Sequence, residues 1–181
     1  MRELRALMVG VREVIRDVGF DCIGSCRASA LRALPEVRAM CASGTCQMHG
    51  RNWACPPHCG EIEGFQAQFD GRTECIVVQT VMELEDEFDA ETMMEAQRVH
   101  AERIKRVAGR LSADASALVL SAGACTLCDI CTCPDEPCRY PEKRLVSMEA
   151  AGLMVNDVCR AAGIPYNHGA RTIAYTGCVV L

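Results

Sequence analysis

The sequence predicts an α/β fold: a mixed or partly parallel sheet with flanking helices, carrying two cysteine-rich metal-binding loops, as one domain over residues 1–181. Three observations carry that prediction. Segments with apolar residues at i, i+3, i+4 and i+7 alternate with short β-branched runs, the pattern of helices set between strands. The 181 residues are 50% hydrophobic and 24% charged, enough for one core without cross-links. Nine of the 14 cysteines crowd into two windows, 41–59 and 125–138, where no periodicity is visible.

The elements follow in chain order. Leu4, Leu7, Met8, Val11, Val14, Ile15 and Val18 form one apolar stripe over residues 2–18, an amphipathic helix that ends near Gly19. Phe20–Gly24 reads as a short strand, and Glu74–Met82, rich in β-branched residues, as a longer one. Six acids fall among the nine residues Glu83–Glu91, a solvated loop that feeds a helix over 91–111, since acids favour a helix N-terminus. The apolar seam of that helix is Ile104, Val107, Ala108 and Leu111. Ala117–Ala122 is a further strand and runs straight into the second cysteine window. Ser147 is the expected N-cap of a helix through Ala162, with Gly163 and Pro165 ending it. Thr172–Leu181 is the last strand. The alternation implies parallel pairing in part of the sheet.

Composition narrows the function. Charged residues interrupt positions 1–18, so no secretory apolar segment is expected there. No apolar run reaches the ~20 residues of a membrane helix. A net charge of -5 and a pI near 5.4 argue against nucleic acid as the main partner. Clustered cysteines in such a chain point to metal rather than to a disulfide framework, and to a cytoplasmic protein.

The second window reads C-T-L-C-D-I-C-T-C-P-D-E-P-C, a C-x2-C-x2-C core of Cys125, Cys128 and Cys131. Two residues between thiols let one tight loop present three thiolates to three corners of a cube, the run used by 4Fe–4S ferredoxins. The fourth thiolate is Cys133 or Cys138. Cys138 is the better choice, because one intervening residue leaves Cys131 and Cys133 little freedom to serve neighbouring corners. Zinc sites more often use two separated C-x2-C pairs, so iron–sulfur is favoured over zinc here. The first window spaces Cys41, Cys46, Cys55 and Cys59 as C-x4-C-x8-C-x3-C. Four soft thiolates suit zinc or iron–sulfur, and spacing leaves iron–sulfur only modestly ahead. His49 and His58 lie inside this window, but four cysteines already suffice. Gly44, Gly50 and Gly60 suit the tight turns of a loop wrapped round a metal, and Trp53 is expected to shield the site from water. Cys75 and Cys159 fall in strand and helix patterns and read as small buried hydrophobes, as does Cys178, with less force. Cys22 and Cys26 could pair only under oxidising conditions.

Several stretches carry a resemblance: P-E-V-R (Pro35–Arg38), G-R-N-W-A-C-P-P-H-C-G (Gly50–Gly60), E-L-E-D (Glu83–Asp86) and C-T-L-C-D-I-C (Cys125–Cys131). So do P-C-R-Y-P-E-K (Pro137–Lys143), S-M-E-A-A-G (Ser147–Gly152) and I-A-Y-T-G-C (Ile173–Cys178). With these the chain resembles the predicted metal-binding proteins of the DUF2284 family, from Gly19 onward. The resemblance implies two cysteine-rich sites, most often presumed iron–sulfur, and no established reaction. It selects Cys41, Cys46, Cys55 and Cys59 for one site and Cys125, Cys128, Cys131 and Cys138 for the other, and leaves Cys133 as an additional thiol.

The expected function is an electron-transfer or redox accessory protein holding two 4Fe–4S clusters, with a redox partner protein. The acidic Glu83–Glu91 stretch would be a docking face for a basic partner. One alternative is an iron–sulfur enzyme with an open-coordination iron acting on a small substrate. The other is a zinc-binding structural or interaction module. No Ser–His–acid set, paired catalytic carboxylates or phosphate-cradling glycine loop favours a particular reaction.

Overall fold

The computed structural model describes residues 2–43, 46–112 and 117–181. Its elements in chain order are α1 (Arg2–Val18), β1 (Cys22–Arg27), α2 (Pro35–Ala42), α3 (Ile62–Asp70), β2 (Glu74–Glu83) and α4 (Ala90–Leu111). They continue with β3 (Leu118–Leu120), α5 (Val155–Ala161) and β4 (Thr172–Val180). The strands form one sheet in the order β1-β2-β4-β3, and every neighbouring pair is antiparallel. This corrects the expected partly parallel sheet. Among the described residues, the parallel pairing is an isolated bridge, Ser121 with Ser147. The helix-between-strands signal had a real source all the same. β2 and β3, joined through α4, point the same way, but β4 inserts between them and is antiparallel to both, splitting the βαβ unit.

Both faces of the sheet are covered. On one side α1 and α4 bring Val11, Ile15, Val18, Ile104, Val107 and Leu111 against Ile76, Val78 and Val179. The side chains of Leu4 and Leu7, and the turn expected at Gly44, lie outside the described part of the structure. On the other side Cys75, Val77, Cys178 and Val180 meet α3, α5 and the segment 148–153. Alternate residues of a strand face opposite sides. A strand covered on both therefore reads as a continuous apolar run, and residues 75–80 of β2 are all buried. Asp89 caps α4, its Oδ1 accepting from the Thr92 amide at 3.0 Å. Part of the acidic stretch thus serves the helix start.

Two helices were not expected. α2 begins at Pro35, whose fixed φ suits the first helical position. α3 buries Phe65 and Phe69 one turn apart, each contributing about 1.5–3 kcal/mol by leaving water. The helix expected from Ser147 forms only at its C-terminal end. Ser147 Oγ accepts from the Ala150 amide at 3.1 Å, and the chain turns at Gly152, with φ +85°, before α5 starts. A Cβ on Gly152 would sit 2.9 Å from the Leu34 nitrogen, so the turn packs directly onto the entry to α2. α5 ends as expected at Gly163, where the Ile164 amide reaches back to the Cys159 carbonyl and that of Gly163 to Arg160.

Candidate metal centre

The first window is built from the end of a helix and a chain of turns. Cys41 lies in the last turn of α2, half-buried, while Cys46 is exposed in the loop beyond. Cys55 and Cys59 are buried, at 8% and 6% exposure. Successive turns place them: the Gly50 amide donates to the Pro56 carbonyl (2.9 Å), that of Cys55 to Asn52 (2.9 Å) and that of His58 to Cys55 (3.0 Å).

These four thiols are electrostatic neighbours. Burial pushes Cys55 up to about 12, with added repulsion from Cys46, Cys59, Cys41 and then Cys125 of the other window. Burial likewise raises Cys41, with Cys46, Glu149 and Cys59 adding to it and Arg38 opposing. Cys59 is raised by burial against the guanidiniums of Arg38 and Arg144. Buried thiols so close together resist ionising, yet metals are held by thiolates. A bound cation is what would offset that cost.

The second window is an irregular loop pinned at several points. Arg139 Nη1 donates to the Ile130 carbonyl at 3.1 Å, Thr132 Oγ1 to Pro137 at 2.9 Å, and Lys105 Nζ from α4 to Thr126 Oγ1 at 3.0 Å. Cys125, Cys128, Cys131 and Cys138 all line one narrow cleft, together with Trp53, Arg139 and Arg144. Cys133 does not line it. Its buried sulfur contacts the Gly50 carbonyl at 3.6 Å instead.

The windows, with residues 60–124 between them in sequence, pack as one body. Buried Asn52 donates through Nδ2 to the Cys125 carbonyl (3.0 Å) and accepts from the Ala54 amide (2.9 Å). Trp53 Nε1 donates to the Glu136 carbonyl at 3.0 Å, and Arg144 Nη1 to the Trp53 carbonyl at 2.6 Å. Trp53 therefore spans both windows. His58 packs edge-on against its ring, centroids 5.0 Å apart, and His49 is exposed.

The remaining cysteines lie elsewhere. Cys75, Cys159 and Cys178 are fully buried, and the neighbouring Cys178 thiol and burial hold the Cys75 thiol well above its ordinary range. Cys22 and Cys26 sit four residues apart on one strand, about 13 Å at ~3.3 Å per residue, too far to form a disulfide with each other.

The donor set of each window is soft, which suits thiophilic metals rather than hard ions. Among the described residues, no three His, Cys, Asp or Glu side chains form a group fit for a single metal ion. Arg38, Asn52 and Arg144 escaped the cysteine spacing as contributors. Each carried a signal of another kind: Arg38 stands one helical turn before Cys41 inside P-E-V-R, Asn52 lies within G-R-N-W-A-C-P-P-H-C-G, and Arg144 is one of the cations at the end of the second window.

The comparisons agree with a metal role. The model of a family described as predicted metal-binding protein (DUF2284) matches residues 25–181. No curated protein and no solved structure matches the chain. No described helix is long and apolar enough to cross a membrane.

Proposed function

The chain belongs to the predicted metal-binding family DUF2284, and from that premise we propose an iron–sulfur protein that carries two 4Fe–4S clusters and exchanges single electrons with a partner protein. Cys41, Cys46, Cys55 and Cys59 would hold one cluster, and Cys125, Cys128, Cys131 and Cys138 the other. When bound, such clusters take up and release electrons at potentials set by charge, hydrogen bonds to sulfur and exposure.

The observation that carries the reading is the joining of the two windows. Asn52 ties the first loop to the Cys125 backbone, and Trp53 Nε1 reaches the Glu136 carbonyl of the second. Two quartets so placed suit passage of an electron from one to the other inside a single domain. Trp53 lines the cleft of the second window, and Arg139 and Arg144 bring positive charge to the cleft that the four thiols line. The exposed Glu85 and Glu87, on the loop before α4, would face a basic partner.

The test is anaerobic purification with iron, sulfide and zinc counting, followed by dithionite bleaching. Two cubanes require about eight irons per chain. Zinc without acid-labile sulfide would replace this reading with that of a structural zinc module.

A further inference from the structure

We propose that Arg38 is a positioning residue that sets the reduction potential of the first-window cluster by donating a hydrogen bond to the Cys59 sulfur. The inference rests on the iron–sulfur reading above. Three contacts hold the guanidinium. Its Nη2 lies 3.5 Å from Cys59 Sγ, and its Nε donates to the Ala150 carbonyl at 2.8 Å. Its central carbon stands 5.6 Å from the centroid of the Phe65 ring. Its stem leaves α2 one turn before Cys41, so the helix that carries one ligand also carries the group that contacts another.

The Ala150 carbonyl lets the site accommodate a thiolate as well as a thiol. It is shared: the Cys59 thiol also approaches it, at 3.7 Å. As a thiol, Cys59 can donate its proton there. As a metal ligand it has no proton to give, and the carbonyl would lose that partner. Arg38 covers both changes, since Nε keeps the carbonyl satisfied while Nη2 donates to the unprotonated sulfur. The arrangement leaves no group without a partner in the ligating state. Donors to a ligating thiolate, and positive charge beside it, favour the more negative, reduced state of a cluster. Charge-assisted bonds from a fixed fork are the stronger kind, and Lys cannot reproduce two directed donors.

The experiment compares wild type, Arg38→Lys and Arg38→Gln as full chains, purified anaerobically, with iron counted first and reduction then followed by redox titration under EPR. Two reduction steps are expected in the wild type. Arg38→Gln should lower the reduced fraction of one step about tenfold at a fixed potential, about 59 mV for one electron, and leave the other unmoved. Arg38→Lys should move the same step in the same direction by less. Unmoved steps at full iron content would overturn the proposal, as would equal movement of both, which is general loosening. Loss of iron from both variants would also overturn it, because the role would then be assembly. A wild type without iron would instead remove the reading beneath it.

Discussion

His100 offers a measurable pH dependence of stability. It sits on α4 facing the sheet at 1% exposure; its Nδ1 lies 3.1 Å from Thr80 Oγ1, and its Nε2 has no hydrogen-bond partner among the described residues. Burial first, and the nearby Arg103 guanidinium second, lower it from 6.5 to about 4. The folded state therefore holds a neutral imidazole where the unfolded chain would take up a proton. The stabilisation is fully present above about pH 6.5 and is lost as pH falls toward about 4. Each tenfold difference in proton affinity is worth about 1.4 kcal/mol, so the drop from pH 7 to 5 should cost about 2 kcal/mol. Glu149, raised chiefly by burial, acts in the opposite sense, so the wild type alone does not isolate the histidine. His100→Gln can still bond Thr80 and has no titrating ring. Urea unfolding of both proteins at pH 7 and pH 5 should show the extra loss of about 2 kcal/mol only in the wild type. An equal loss in both would refute the claim that the imidazole is buried uncharged.

Two further predictions concern the site. Gly152→Ala forces a side chain onto φ +85° and against the Leu34 nitrogen, costing about 1–2 kcal/mol for the left-handed backbone and about 1–3 for overpacking. Urea unfolding should show a loss in that range, and an unchanged midpoint would mean that the 147–152 turn does not pack on the entry to α2. Cys138→Ser should lower iron per chain while Cys133→Ser retains it, because Cys138 lines the cleft and Cys133 faces Gly50. The reverse outcome would make Cys133 the ligand.

Much of the fold was legible wherever one face of an element meets water. The stripe of α1 and the seam of α4 stand out because charged residues occupy their other faces, and both elements form where expected. Gly163 ends α5 for a reason local to the chain, a positive φ. Legibility failed where tertiary contacts decide. α2 and α3 are short and flank the irregular loops, and helices of that length are held by packing more than by propensity. The segment from Ser147 looked helical, but Gly152 turns it to meet Leu34, a residue far away in the chain.

The sequence alone divides the cysteines into two windows, because residues that serve one loop follow one another at short spacing. It also marked α1, α4 and the strands and, through its motifs, the family. Strand order was decided in three dimensions: β4, the last strand, enters between β2 and β3, and covering both faces of the sheet erases the alternation that marks antiparallel strands. So was the meeting of the two windows through Asn52, Trp53 and Arg144. Local spacing encodes what a loop can hold. Which loops share a site depends on the packing of segments that the chain keeps far apart.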